Sequence, residues 1–313
     1  MKVLVTGGNG FLGSSVVAGL AAAGHDVVSA DLRFPTSEVD GVMHTVLDVT
    51  DEEAVLAGIG AAAPEVVVHL ASIVTPGKDS TREKEYAVDV DGSRHVFAAC
   101  LAHGVRRVVV SSSGAAYGYH ADNPVPLGED DPLRGNEEFA YSHHKRLVEE
   151  QLASLREEHP ELEQVVLRIG TILGERVDNQ ITALFEGRRL LRIAGSDSPF
   201  VFIWDTDVVA IIQQAVTGDV TGAFNVAGDG TMTVPEIAKA LGKRTLVIPE
   251  PVLRTALRIA RRLHLTPYGP EQTRFLRYRP VLDNTRLKAE FGYTPGRTSR
   301  EAFDAWRMRG QTA

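Results

Sequence analysis

Short runs of β-branched and aliphatic residues punctuate the chain, KVLVTG, DVVSAD, EVVVHLAS, RRVVVSSS, QVVLRIG and AFNVAG, with helix-length segments between them. Strands that are apolar on both faces and joined by helical crossovers predict a parallel sheet covered on both sides, a doubly wound α/β fold. Between the first two strands, FLGSSVVAGLAAAGH carries apolar residues at helical spacing and closes on Gly24, as the crossover of a right-handed βαβ unit does. Beyond about Gly174 the alternation loosens. Proline and glycine cluster in AGSDSPF, a helix is predicted around DTDVVAIIQQAV, and helices then alternate with Pro-rich turns. The expected division is residues 1–173 as one α/β domain and residues 174–313 as a smaller lobe, some of whose segments return to the first domain.

The first strand runs into TGGNGFLG, in which Gly7, Gly10 and Gly13 fall between a strand and a helix. Gly7 permits a tight turn, Gly10 lets backbone approach a pyrophosphate, and Gly13 lets the helix lie close to the sheet. The helix N-terminus, at Phe11 and Leu12, offers free N–H groups and a positive dipole end to phosphates. This is the pattern of a Rossmann-type dinucleotide site. Asp31, ending the second strand, stands where a carboxylate accepts from adenosine ribose hydroxyls and repels a 2′-phosphate, which favours NAD over NADP. Arg33, two residues on, softens that preference, and a strand-end turn is the alternative reading of Asp31. Asp48 suits the adenine amino group or, equally, an N-cap for the helix beginning near Asp51.

Tyr141 and Lys145 in AYSHHK are four apart, on one face of a predicted helix. A phenol with an ordinary pKa near ~10 is a poor base at neutral pH. An adjacent ammonium and a positive nicotinamide ring favour its phenolate, which then accepts a hydroxyl proton as hydride leaves. In VVVSSSGAAYG, Ser113 is the hydroxyl expected to orient the substrate oxygen, with Ser111 and Ser112 closing the strand and lining the nicotinamide pocket. His143 and His144 lie between the pair, turned by helical geometry away from the face of Tyr141 and Lys145.

The formal charge of -8 argues against a protein that neutralises many nucleic-acid phosphates. The single cysteine, Cys100, sits in an apolar helix-like stretch and reads as buried in a reducing compartment. No long uncharged apolar run predicts a membrane span, and the expected location is cytoplasmic. No His, Cys or carboxylate cluster has metal-ligand spacing, so no metal is expected.

With these pieces assembled, the chain resembles an extended short-chain dehydrogenase/reductase of the NAD-dependent epimerase/dehydratase family, whose best-known members are nucleotide-sugar 4-epimerases. The resemblance is carried in order by TGGNGFLG, HLAS, VDVDGSRHVFAAC, GVRRVVVSSSGAAYG, Tyr141 with Lys145, LRIGTILG, FVFIWDTDVV, FNVAGDGTMTVPEIAKALG and LDNTRLKAEFGYTP. It implies catalytic roles for Ser113, Tyr141 and Lys145, and places Leu70 and Ala71 beside the nicotinamide half of NAD. The expected cofactor set is Gly7, Gly10, Phe11, Leu12, Gly13, Asp31, Arg33, Asp48, Val49, Leu70, Ala71, Ser72, Ser111, Tyr141 and Lys145. The resemblance also implies a homodimer built on the helix near Tyr86 to His103 and the helix carrying Tyr141.

Departures bear on the substrate. Dehydratases of this family follow the catalytic hydroxyl with an Asp-Glu pair, whereas Gly114 and Ala115 follow Ser113 here, so dehydration is disfavoured. Nucleotide-sugar members commonly carry an arginine just before the segment matching FIWDTDVV, where this chain reads Pro199-Phe200-Val201. Candidate substrate contacts are Ser113, Asn179, Arg277 and Arg279. The stretch RTALRIARRLH is also read as an amphipathic surface helix with Leu253, Leu257, Ala260 and Leu263 inward. The expectation is a small-molecule substrate, most specifically a UDP-hexose undergoing 4-epimerisation. The alternatives are an NAD(P)-dependent reductase or alcohol dehydrogenase on a non-nucleotide substrate, and a non-catalytic cofactor sensor.

Overall fold

In the computed structural model, which describes residues 1–77, 80–175, 177, 179–266 and 268–309, a parallel seven-stranded sheet forms the centre. Its strands are β1 (Lys2–Thr6), β2 (Asp26–Asp31), β3 (Met43–Val46), β4 (Val66–His69), β5 (Arg107–Ser113), β6 (Glu163–Ile169) and a last strand, Gly222–Val226. The spatial order is Gly222–Val226, β6, β5, β4, β1, β2, β3. The register pairs Val3 with Val27 on one side and with Val66 on the other.

Alternation along each strand divides the core into two layers. Val3, Val5, Val66 and Val68 face α1 (Phe11–Ala22) and the helix Asp205–Thr217, through Val16, Leu20, Val208 and Ile211. Leu4, Val67, Val108 and Val110 face the opposite layer. That layer consists of α2 (Glu52–Ala62), α4 (Gly92–Ala102) and α5 (Ala140–Glu158), through Val55, Ile59, Phe97 and Leu152. Cys100 is buried there, and burial pushes its thiol up to about 12. A short helix α3 (Arg82–Tyr86) runs into α4 through a π-helical turn, Ala87–Asp91.

The predicted doubly wound sheet is what the chain forms. Beyond residue 173 a second cluster gathers Phe185, Phe200, Phe202, Trp204, Phe303 and Trp306. Two small parallel pairs accompany it, Arg189–Ile193 with Arg244–Ile248 and Thr171–Leu173 with Phe202–Trp204. Asp207 anchors the helix Asp205–Thr217 by accepting from Tyr293 Oη and the Gly296 N–H. In the helix Glu250–Arg262, Leu253 is buried and Leu257 and Ala260 are half-buried, but Leu263 is 60% exposed. The expected inward position of Leu263 is therefore corrected: it follows the last helical residue, where the chain has left the packed face.

Candidate active site

Strand order reverses between β1 and β4, which opens a crevice above their carboxyl ends. Three segments border it: the glycine loop after β1, Leu70–Ile73 after β4, and Ser111–Gly114 at the end of β5. Gly7 has φ +67°, and a Cβ there would stand 2.8 Å from the Ala71 backbone nitrogen, so only glycine lets the first two segments touch. A Cβ on Gly13 would fall 2.0 Å from the Gly7 carbonyl oxygen, which is why α1 can press onto the turn. At Gly10 the same construction meets only the Gly7 oxygen, at 3.1 Å.

Gly10 is also the N-cap of α1, and no side chain caps that end and no acid occupies its first turn. By contrast α2 is capped by Asp51, which accepts from the Ala54 N–H. An uncapped positive helix end faced by glycine fits a pyrophosphate. Phe11 is exposed and Leu12 half-buried at this end.

Asp31 stands at the end of β2 beside the loop. Its Oδ2 accepts from the Asn9 N–H at 2.9 Å and its Oδ1 from the Leu32 N–H at 2.7 Å. Asn9, which the sequence reading passed over, also donates through its side-chain nitrogen to the Arg33 carbonyl, locking the glycine loop to β2. The Arg33 side chain is exposed. Asp48 is exposed and accepts from both the N–H and the hydroxyl of Thr50. The N-cap alternative for Asp48 is thereby corrected: a side chain caps from the residue before the first helical turn, and Asp51 holds that place. Val49 is buried, and its carbonyl receives His95 Nδ1.

The β5 end and α5 bring together the three residues with predicted chemistry. Ser142 Oγ donates to the Ala115 carbonyl at 2.6 Å, fastening the start of α5 to the turn after β5. Ser113 Oγ accepts from the Ala115 N–H, and its hydroxyl faces the Tyr141 phenol closely enough to favour the phenolate. Lys145 Nζ donates to the Ser111 carbonyl at 2.8 Å and lies 5.6 Å from the centroid of the Tyr141 ring. Burial pushes the phenol up to about 12, and the Ser113 hydroxyl opposes this. Burial also lowers Lys145, against the opposing pull of Asp89 and Glu149. Without the positive nicotinamide ring, burial dominates and keeps Tyr141 on the neutral-phenol side. Ser112 faces the opposite layer and donates to Glu149, so its expected place in the pocket lining is corrected.

Above this set lie rings. Tyr119 packs edge-on against Phe139 and Phe275, with centroids at 4.9 and 5.4 Å. Arg279 sits over Phe200 at 3.9 Å and Phe275 at 5.0 Å, and donates to the carbonyl and hydroxyl of Ser198. Arg277 is ion-paired with Glu250. Asn179 caps the short helix Gln180–Ala183 by accepting from the Ile181 and Thr182 N–H groups. Asn179 and Arg277 are thus engaged by capping and by a carboxylate in the ligand-free chain.

Sequence reasoning also missed Asp89 and His144, which pair at 2.9 Å. The burial of His144 was signalled, since it shares a helical face with Val148 and Leu152, which build the core, but nothing in the sequence pointed to Asp89 as its partner.

Comparison with known protein families matches residues 3–227 to the NAD dependent epimerase/dehydratase family. The chain belongs to that family. An uncharacterized protein of Mycobacterium tuberculosis is 27% identical over 99% of this chain and 84% of its own length. The 3-diazoavenalumate denitrifying reductase of a Streptomyces species is 30% identical, over 77% of this chain and 82% of the reductase. Among solved structures, the Thermus thermophilus UDP-glucose 4-epimerase in complex with NAD superposes over 100% of both chains, with 25% identity and a TM-score of 0.75. Family membership makes this an NAD-dependent fold, and the uncapped α1 end, the glycine turn and Asp31 fit that cofactor.

Proposed function

We propose that this chain catalyses reversible oxidation of a secondary alcohol, with Ser113, Tyr141 and Lys145 as its catalytic residues. The observation that carries the reading is their convergence from β5 and α5 beside the crevice, with Lys145 fixed to the Ser111 carbonyl and standing 5.6 Å from the Tyr141 ring centroid. The glycine turn and the α1 N-terminus would hold the pyrophosphate of NAD, Asp31 the adenosine ribose, and Leu70 to Ser72 with Ser111 the nicotinamide end. Arg33, Asp48 and Val49 would border the adenosine. Bound NAD supplies a two-electron hydride acceptor and a positive ring.

In the oxidation direction Tyr141 Oη receives the hydroxyl proton, and Ser113 orients the same oxygen. In the reduction direction the neutral phenol favoured by burial returns that proton to the carbonyl oxygen. Lys145, tied to Ser111, places positive charge beside the phenol. Residues beyond 173 would cover the substrate.

The finer reading is a UDP-hexose 4-epimerase in a homodimer, supported by full-length likeness to the Thermus epimerase. A second reading, a reductase on a non-nucleotide substrate, draws support from the arginines. Arg277 is held by Glu250, Arg279 lies between two rings, and Phe200 stands in the segment where a phosphate-binding arginine is expected. A thermal-shift and turnover panel of UDP-, GDP- and dTDP-sugars against keto acids and aryl ketones decides between them, because ligand binding to the native state raises the melting temperature. Turnover of a UDP-hexose with NAD retained supports the epimerase. Ketone reduction with cofactor exchange supports the reductase. Unchanged turnover in Tyr141→Phe overturns both.

A further inference from the structure

Asp89 lies on the π-helical turn between α3 and α4, and its carboxylate is committed to two other elements. Its Oδ1 accepts from Ser72 Oγ at 2.9 Å and from the Ile73 N–H at 2.8 Å, both on the segment after β4. Its Oδ2 accepts from His144 Nδ1 at 2.9 Å, on α5 one residue before Lys145. The carboxylate and imidazole are almost wholly buried, Asp89 3% and His144 1% exposed, with the Tyr86 ring edge-on to the imidazole. Polar groups are costly to bury even when hydrogen-bonded, and an apolar pair of similar volume would fill the same space, so stability alone is a poor reason for them.

A second line of contacts ends at the same residue. Ser93 Oγ donates to the Asp89 carbonyl at 2.5 Å and lies 3.0 Å from His69 Nε2. The other ring nitrogen of His69 lies 2.7 Å from Thr6 Oγ1, directly before Gly7. Burial drives His69 down to about 3, so its ring is neutral. With the Ser93 proton committed to the carbonyl, Nε2 carries the ring proton and Nδ1 accepts from Thr6. Buried polar groups therefore connect the entrance of the glycine turn to the helix of Tyr141 and Lys145.

We propose that Asp89 and His144 form a positioning pair that fixes the Ala71–Ile73 segment against α5, and thereby sets where the nicotinamide end of the cofactor rests relative to Tyr141. This rests on the functional reading above. Each carboxylate oxygen holds one element, so the carboxylate acts as a spacer between the cofactor segment and the catalytic helix.

The test is NADH binding by fluorescence titration on the full-length protein without substrate, with thermal melting in parallel. Losing hydrogen bonds to a charged group should weaken NADH about tenfold or more in Asp89→Leu. Asp89→Asn keeps an oxygen for Ser72 and Ile73 and turns its amide to His144, so it should recover affinity to within about threefold. Ser72→Ala should weaken binding by itself and add nothing to Asp89→Leu, because the two share one contact. His144→Gln should bind NADH more tightly than His144→Leu, since its amide can still reach Oδ2. Wild-type affinity in a folded Asp89→Leu, or additive losses in the double variant, overturns the proposal. If Asp89→Leu does not fold, the Ser72 and His144 variants decide it: wild-type affinity in Ser72→Ala, or equal affinity in the two His144 variants, overturns it. A turnover failure of the wider reading leaves these titrations interpretable, as they need no substrate.

Discussion

Lys145 stands beside Tyr141 without bonding to it: the ammonium donates to the Ser111 carbonyl at 2.8 Å and lies 5.6 Å from the phenol ring centroid. The amine is thus fixed to β5, and the proposed mechanism has its charge favour the phenolate. Lys145→Met should lower turnover by about a hundredfold or more, the scale of a lost acid–base assist. Steady-state kinetics beside an NADH titration checks this, and turnover within about threefold of wild type would remove Lys145 from the mechanism.

The pH dependence has a definite sign. Oxidation needs the phenolate, and burial pushes Tyr141 up to about 12 while the Ser113 hydroxyl holds it down. Oxidation rates should therefore rise with pH through the alkaline range. In Ser113→Ala the opposing hydroxyl is lost and the rise should move to higher pH. A rise that stays in place or moves to lower pH contradicts the assigned Ser113–Tyr141 contact.

Gly13→Ala should abolish NADH binding and destabilise the fold, because its Cβ would stand 2.0 Å from a backbone oxygen that cannot move aside. Gly24→Ala controls for a general glycine effect: nothing lies within 4 Å of a Cβ there, although φ is +82°. It should bind NADH normally and lose only stability. Fluorescence titration and melting curves separate the two.

Glu149 and Arg168 form a buried pair, with Arg168 Nη2 2.8 Å from Glu149 Oε2 and Nη1 bonded to Tyr117 Oη. Glu149→Leu leaves a buried guanidinium without its carboxylate and should cost about 3–5 kcal/mol. Urea denaturation measures it, and a loss below about 1 kcal/mol would show that the cation finds water or another partner.

How legible all this was in the sequence depended on the range of the interaction. Strands such as EVVVHLAS advertise burial on both faces, and the Gly7, Gly10 and Gly13 spacing encodes a backbone demand that no side chain can meet. Tyr141 and Lys145 were legible because their spacing is one helical turn. Asp89 and His144 were not, since their partnership is set by the packing of α3–α4 on α5 and each looks like an ordinary helix residue alone. The Arg277–Glu250 pair was illegible for the same reason, since its partners lie on different elements. The capping role of Asn179 was not legible, because where a four-residue helix begins is beyond what periodicity can locate.

The most direct test of the central claim is a crystal structure of the NAD complex. The pyrophosphate is expected on the N–H groups at the start of α1, a ribose on Asp31, and the nicotinamide ring facing the Tyr141 phenol with room for one carbinol between them. A cofactor bound with its nicotinamide directed away from Tyr141, or with that phenol turned out of the crevice, would contradict it.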